Sequence, residues 1–287
     1  MSNTAKSLAG SRIDSLLDEN SFVEIGGLVT ARNTDFNTQQ TETPSDGVIT
    51  GYGVIDGNLV YVYAQDAGVL GGTIGEMHAK KITGIYDLAM KMGAPVIGLI
   101  DCAGLRLQEA TDALNAFGEI YLKQSLASGV IPQITAVFGT CGGGLAVVPG
   151  LTDFTFMESK NAKLFVNTPN ALEGNRTEVC DTAAAQFQSE TGLVDFVGTE
   201  EEIFAGIRRL VDILPANNED DASYEECADD LNRVCADLEN AAGDTSILLS
   251  QISDNGEFIE VKAAAAKDMV TGFIKLNGMT VGAVANR

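Results

Sequence analysis

The run APVIGLIDCAGLR (residues 94–106) decides the fold. From Ala94 to Ile100 it is almost continuously apolar, with no polar alternation, which describes a strand buried on both faces in a covered, mostly parallel sheet. It then breaks into small residues, Cys102-Ala103-Gly104, before the next helical pattern begins. A second run, IPQITAVFGTCGGG (residues 131–144), repeats the plan: a buried strand over Ile131–Gly139, then a glycine-rich turn opening a third helix.

Working outward, Leu107 to Ser128 has helical spacing between the two runs. Upstream, Ile74, Met77, Ile82, Ile85, Leu88, Ala89 and Met92 mark another helix, with Gly93 as its stop. DFTFMES (153–159) and AKLFVNT (162–168) read as two further short strands, and Ser11–Asp18 as a short amphipathic helix. Strands alternating with helices place the chain in the α/β class, with crossover connections. Before them, Gly47–Gln65 reads as a β-hairpin turning at Asp56-Gly57, a dipeptide suited to the positive φ angles of a tight hairpin turn.

The hairpin returns near the other end. SFVEI (21–25) followed by VITGYGVIDGNLVYVYAQ (48–65) matches EFIEV (257–261) followed by MVTGFIKLNGMTVGAVAN (269–286). Thr50-Gly51-Tyr52 corresponds to Thr271-Gly272-Phe273, and Asp56-Gly57 to Asn277-Gly278. The first copy carries a longer loop after its first strand. A hairpin of this kind cannot bury its apolar face alone, so the second copy is expected to open a further domain or to meet a partner. Composition also shifts at Pro215: ANNEDDASYEECADD is acidic and reads as a solvated linker, and DDLNRVCADLENAA (229–242) as a charged helix.

The chain has 287 residues, with 18 Lys and Arg against 40 Asp and Glu, a net charge of -22. So acidic a protein lacks the basic face that displaces counterions from nucleic acid, and it gains nothing from an anionic membrane surface. No apolar run is long enough to insert in a membrane, and the opening MSNTAKSLAG has no signal-peptide core, so a cytoplasmic location is expected. Five cysteines without a CxxC pair suit reduced thiols rather than disulfides or zinc. The single histidine, His78, removes HExxH metal chemistry and leaves one candidate base for a triad. It reads as a helix residue.

The two glycine-bearing loops, 101–106 and 139–144, sit at equivalent places in successive β–α units. Small residues there let a ligand reach the main chain, and the helix start leaves N–H groups free for an anion or developing oxyanion. Dinucleotide, P-loop and GxSxG patterns are missing from these positions. Glu109 and Asp112, three apart on a helix, are either an acid–base pair or a solvated face. Arg32, Lys80, Lys81, Arg106, Lys160 and Lys163 are sparse cations; a subset near the loops would suit an anionic cofactor.

These motifs, in order, resemble the carboxyltransferase subunit of biotin-dependent acyl-CoA carboxylases and the related acyl-CoA decarboxylase α subunits. The resemblance runs through SRIDSLLDENSFVEI, TPSDGVITGYGVIDGNLVYVYAQD, GEMHAKKI, GAPVIGLIDCAGLRLQE, SGVIPQITAVFGTCGGGLAVVPGLTDFTFM and AKDMVTGFIKLNGMTVGAVANR. Residues 170–188 and the acidic stretch match poorly. It implies a ClpP/crotonase-type fold built of repeated ββα units. Residues 1–245 would be the N-terminal domain, with an acidic linker and helix over 216–245, and residues 246–287 the opening strands of a second, C-terminal-type copy. It also implies a substrate acyl-CoA, carboxylated biotin on a carrier protein, and no metal. The implied partners are a C-terminal carboxyltransferase domain, a biotin carboxyl carrier protein and a biotin carboxylase or decarboxylase, in a homo- or hetero-oligomer.

The implied oxyanion hole falls on the N–H of Leu105 and of Gly143, with Gly144 beside it. Around it, Ala103, Gly104, Arg106, Cys141 and Gly142 are expected to shape the substrate site, with Arg32, Lys80 and Lys81 as its cations. The family's Ser-Gly-Gly-Ala-Arg stands here as Cys102-Ala103-Gly104-Leu105-Arg106, and its Cys-Ala-Gly-Gly as Cys141-Gly142-Gly143-Gly144. Carboxyl transfer by this route develops charge on a thioester oxygen and on the biotin ring, so it needs amide donors more than a histidine. Two other readings stay open: the same subunit serving a decarboxylase, and a stand-alone crotonase-type hydratase or isomerase with Glu109 as base. A non-catalytic CoA-holding scaffold is a third.

Overall fold

A computed structural model describes residues 7–35, 42–220, 226–227, 229–236 and 238–287. The continuous apolar run becomes β4 of a large mixed sheet. In order across that sheet lie β1 (Val23–Ile25), β2 (Val48–Ile55), β3 (Asn58–Gln65), β4 (Val96–Cys102), β5 (Gln133–Gly142) and β6 (Phe154–Glu158). β7 (Lys163–Phe165) pairs with the far end of β5, and β8 (Phe196–Gly198) follows β6. β1, β2 and β3 are antiparallel; from β3 onward every pairing is parallel.

Why β4 shows no polar alternation is plain from what covers it. Ile97 and Leu99 pack with Ile13 and Leu16 of α1 (Leu8–Leu16) and Ile203 and Ile207, whereas Val96 and Ile100 pack with Ile82, Ile85 and Ile120. The first group lies under α1 and α6 (Glu200–Ile213), and the second under α2 (Glu76–Met92) and α3 (Ala110–Ala127). Period-two alternation therefore sorts apolar side chains between two cores, each fully buried Ile or Leu contributing about 1.5–3 kcal/mol. α2 ends where expected: Gly93 takes φ 64°, the left-handed cap conformation. Between β5 and β6 lies α4 (Val147–Leu151), and α5 (Ala185–Glu190) precedes β8.

The repeat read from sequence is a repeat in space. α7 (Thr245–Ile252) precedes a second sheet, ordered β11-β10-β9, formed by β9 (Phe258–Val261), β10 (Met269–Leu276) and β11 (Met279–Asn286). In the first copy Val23 faces Tyr52 and Ile25 faces Thr50; in the second Ile259 faces Phe273 and Val261 faces Thr271. Thr50 Oγ1 donates to Ile25 O at 2.8 Å, and Thr271 Oγ1 to Val261 O at 2.9 Å. The copies part company at one edge. β3 passes to β4, whereas among the described residues β11 pairs only with β10.

Three expectations need correction. The first helix begins earlier than Ser11, because Ser7 Oγ accepts from Gly10 N and caps it. β5 runs on through Gly142 instead of turning at Gly139, since β7 supplies pairing partners for Thr140, Cys141 and Gly142. The charged helix expected over 229–242 is replaced by turns and irregular chain, with a 3₁₀ turn at Asn240–Gly243; positions 228 and 237 lie outside the described residues. No helix among the described residues is long and apolar enough to cross a membrane.

Candidate active site

Both glycine-bearing loops leave the carboxyl ends of adjacent parallel strands, where Cys102 of β4 pairs with Cys141 of β5. A cleft of ≈ 770 Å³ opens there, lined by Ala103, Gly104 and Leu105 from one loop and Gly142, Gly143 and Gly144 from the other. Its walls are mostly apolar: Leu114, Phe117 and Tyr121 of α3, with Phe165, the last residue of β7, and Val166 after it. Carboxyl ends of parallel strands are where open α/β sheets bind ligands, because the chain there turns away and leaves main-chain groups free.

The first loop is held by an isolated parallel bridge. Ile74 N donates to Gly104 O at 2.9 Å and Arg106 N to Ile74 O at 3.0 Å. A bridge of this geometry uses the neighbours of Leu105 and leaves its own N–H over. Among the described residues the Leu105 amide finds no acceptor in the protein. Gly143, with φ 64°, opens the 3₁₀ turn Gly143–Ala146, so the second loop brings the start of a helical turn, with Gly144 as its next residue, to the cleft. Tyr121 pins the second loop, its hydroxyl donating to Gly144 O at 2.5 Å. Gly142 is required for space: a Cβ there would stand 2.8 Å from the Phe165 ring.

The thiols take no part as nucleophiles. Cys102 accepts from Gly104 N at 3.2 Å, and burial pushes its pKa up to about 12. Cys141 is likewise buried, and burial lifts its thiol well above the usual range. Its Sγ donates to Leu145 O at 3.6 Å in the turn that follows, and Cys141 itself does not line the cleft.

The expected cations do not join the cleft. Arg106 is buried, its Nη1 2.5 Å from Asp46 Oδ1 and 3.0 Å from Glu109 Oε1. Lys81 is buried too, its Nζ donating to Ser45 O at 2.9 Å and to Val48 O; burial brings its pKa down to about 8. Arg32 pairs with Glu76 and Asp112, and Lys80 with Glu76. None of the four lines the cleft: Arg106 and Lys81 are buried inside the protein, whereas Arg32 and Lys80 stand partly exposed in ion pairs outside it. Lys163 pairs with Asp181 at 2.6 Å.

Glu109 and Asp112 do not act together. Glu109 is buried, with Oε2 accepting from Glu76 N at 2.6 Å at the start of α2, while Asp112 is exposed beside Arg32. Neither lines the cleft. His78 is fully buried on α2 rather than at the site: its Nδ1 lies 2.9 Å from Asp46 O, so that nitrogen carries the proton, and Nε2 lies 3.2 Å from Gln65 Nε2, whose amide donates to it. Burial, then the nearby Arg106 charge, lowers its pKa from 6.5 to about 3, and it stays neutral. Leu114, Phe117, Tyr121 and Phe165 are among the cleft residues that sequence reasoning missed. The helical spacing of α3 was visible, but which of its faces would overlook the loops was not.

A mixed sheet covered by helices, with a glycine-lined cleft at the ends of its parallel strands, is the architecture of crotonase-fold carboxyltransferases. The chain belongs to the carboxyl transferase domain family, which it matches over residues 2–287. It is 40% identical to the propionyl-CoA carboxylase beta chain of Roseobacter denitrificans over 98% of its own length and 58% of that protein's. It is 38% identical to methylmalonyl-CoA decarboxylase subunit alpha of Propionigenium modestum, covering 99% of this chain and 57% of the other. Among solved structures it is similar to transcarboxylase 12S with methylmalonyl-coenzyme A and methylmalonic acid bound. The TM-score is 0.90 with 31% identity, over 99% of this chain and 57% of that one. The chain thus spans less than three fifths of these relatives.

Proposed function

We propose that this chain is the acyl-CoA-holding half of a biotin-dependent carboxyltransferase, moving CO2 between carboxybiotin and the α-carbon of a short acyl-CoA. One observation carries the reading: two neighbouring loops bring the unpartnered amide of Leu105 and the turn-opening glycines Gly143 and Gly144 to one apolar cleft. Such donors suit a thioester oxygen that gains charge when the α-carbon loses its proton. In a cleft walled by Phe117, Phe165 and Leu114, little water competes for them. The cleft residues Ala103, Gly104 and Gly142 admit the thioester to the main chain, and Tyr121 holds Gly144 in place. Carboxybiotin supplies the CO2 when its carrier docks; the donor set of this cleft fits a thioester, and none of the residues named here is assigned to biotin.

Residues 1–245 would form the acyl-CoA domain, and residues 246–287 would open a second copy, completed by a C-terminal carboxyltransferase domain. Partners would be that domain, a biotin carboxyl carrier protein and a biotin carboxylase or decarboxylase, in an oligomer. The decarboxylase α-subunit reading uses the same cleft in the opposite direction and is supported equally by the relatives. The hydratase reading loses its base, since Glu109 is spent on Arg106 and on the first turn of α2.

The test mixes the chain with its complementary C-terminal domain, methylmalonyl-CoA and a biotin ester, and follows loss of methylmalonyl-CoA. Turnover is expected, and Leu105→Pro, which deletes one amide donor, should lower kcat by about 10²–10³. No turnover above background with a folded, assembled complex overturns the proposal.

A further inference from the structure

The loop that carries Leu105 is made of residues with little intrinsic stiffness. Gly104 sits at φ 106°, open to glycine alone, and Ala103 is exposed. An amide used as an oxyanion donor must nevertheless be placed to within a few tenths of an ångström before the charge develops. Something has to hold this loop, and the next residue does.

Arg106 follows Leu105 directly and is buried in a network that joins two distant residues, Asp46 and Thr73, and its near neighbour Glu109. Its Nη1 reaches Asp46 Oδ1 at 2.5 Å and Glu109 Oε1 at 3.0 Å, and its Nη2 reaches Thr73 O at 2.6 Å. Nε adds Thr73 Oγ1 at 3.3 Å. Each partner is itself fixed. Glu109 Oε2 accepts from Glu76 N at the start of α2, so the carboxylate bridges the loop to that helix. Asp46 lies in a turn where Ser45, Asp46 and Gly47 have φ of 53°, 49° and 70°. Two successive non-glycine residues in the left-handed region are costly, and persist where the surroundings over-determine them. The turn lets Asp46 offer its carboxylate to Arg106 while its carbonyl accepts from His78 Nδ1 at 2.9 Å. Thr73 precedes Ile74, the residue bridged to Leu105. A planar guanidinium with five donors can serve these acceptors at once; an ammonium cannot hold the same fork.

We propose that Arg106 is a positioning residue, its guanidinium locked between Asp46, Glu109 and Thr73 so that the Leu105 amide is set in advance for a thioester oxygen. This rests on the reading of Leu105 as an oxyanion donor. It assigns Arg106 no contact with substrate, in keeping with its burial and its absence from the cleft lining.

The test uses propionyl-CoA labelled with ¹³C at the thioester carbonyl, whose infrared stretch moves to lower frequency when amide donors polarise it. The wild-type protein is measured first. A bound carbonyl at the frequency of free propionyl-CoA overturns the reading of Leu105 itself. Given a wild-type shift, Arg106→Lys and Asp46→Asn are expected to lose most of it, with propionyl-CoA Kd within about twofold of wild type by calorimetry. With the complementary domain added, kcat should fall about 10- to 100-fold and KM stay nearly constant, the pattern of a lost transition-state interaction. Asp46→Asn keeps the guanidinium, Glu109 and Thr73, so it carries the test where Arg106→Lys fails to fold. A full carbonyl shift and unchanged kcat in the folded variants overturn the inference, and so does weakened Kd with the shift retained.

Discussion

A single buried imidazole shows how this chain treats charge. His78 spends its Nδ1 proton on the Asp46 carbonyl and accepts from Gln65, leaving no room for a second proton beside Arg106 and Lys81. Its pKa falls from 6.5 to about 3 on folding, so between those values the unfolded chain binds a proton that the folded chain refuses. The sign follows: the neutral ring's contribution is whole above pH 6.5, declines as pH falls, and is gone below about pH 3. Denaturant midpoints at pH 7.5 and 5.0 should therefore differ more in the wild type than in His78→Gln, whose amide stays uncharged throughout. Equal pH slopes in the two proteins would contradict this account. From the sequence, His78 could be placed on a helix by spacing alone. Its neutrality could not be read, because what enforces it is burial and then the charge of Arg106, which lies 28 positions away.

At the scale of elements, what was legible was local. β4 and β5 announced themselves because an unbroken apolar run has few other uses in a parallel sheet, and the hairpins because Asp-Gly and Asn-Gly turns carry their own φ requirements. The repeat was legible because its constraints recur residue by residue. Gly51 and Gly272 are both glycine for one reason: a Cβ at either would collide with a strand carbonyl, Val23 O or Ile259 O, and with the Phe22 or Phe258 ring. Asp18 accepts from the N–H of Asp56 and Gly57 beneath the first turn, and Asp254 from those of Asn277 and Gly278 beneath the second. Gly51→Ala should thus lose about 3 kcal/mol or more, because backbone cannot yield as a side chain can. Gly57→Ala, where the added Cβ meets nothing, should lose only the φ penalty of about 1–2 kcal/mol. Chemical denaturation of both variants measures the gap, and comparable losses would refute it. Non-local signals failed. The 229–242 stretch has helical periodicity, but Leu231, Val234 and Leu238 are 61%, 88% and 44% exposed, so no neighbour buries the face that would have made it a helix. Likewise Cys141-Gly142 reads as turn, and the pairing with β7 together with the Cys102–Cys141 pair to β4 makes it strand.

For the molecule as a whole, the consequence of the repeat lies at the β11 edge. In the first copy α1, β1, β2 and β3 are followed by a strand, β4, that pairs parallel with β3 through Tyr61–Val96 to Ala64–Leu99. In the second copy α7, β9, β10 and β11 reproduce that order, and alternate residues at the end of β11, Gly282, Val284 and Asn286, are exposed. An open edge of this length presents a row of unpaired amides and carbonyls, a template for another strand. If residues 246–287 open a C-terminal-type domain, that domain supplies the strand equivalent to β4, and the amides of β11 that point away from β10 become hydrogen-bonded. Amide exchange by mass spectrometry should find those alternate β11 amides exchanging quickly in this chain. On mixing with the complementary domain they should slow by about a hundredfold, while the amides of β3, already paired on both sides, change little. Protection that instead appears on α3, with β11 unaffected, would mean that the partner covers the cleft without completing the sheet, and the reading of residues 246–287 as the start of a second copy would fall.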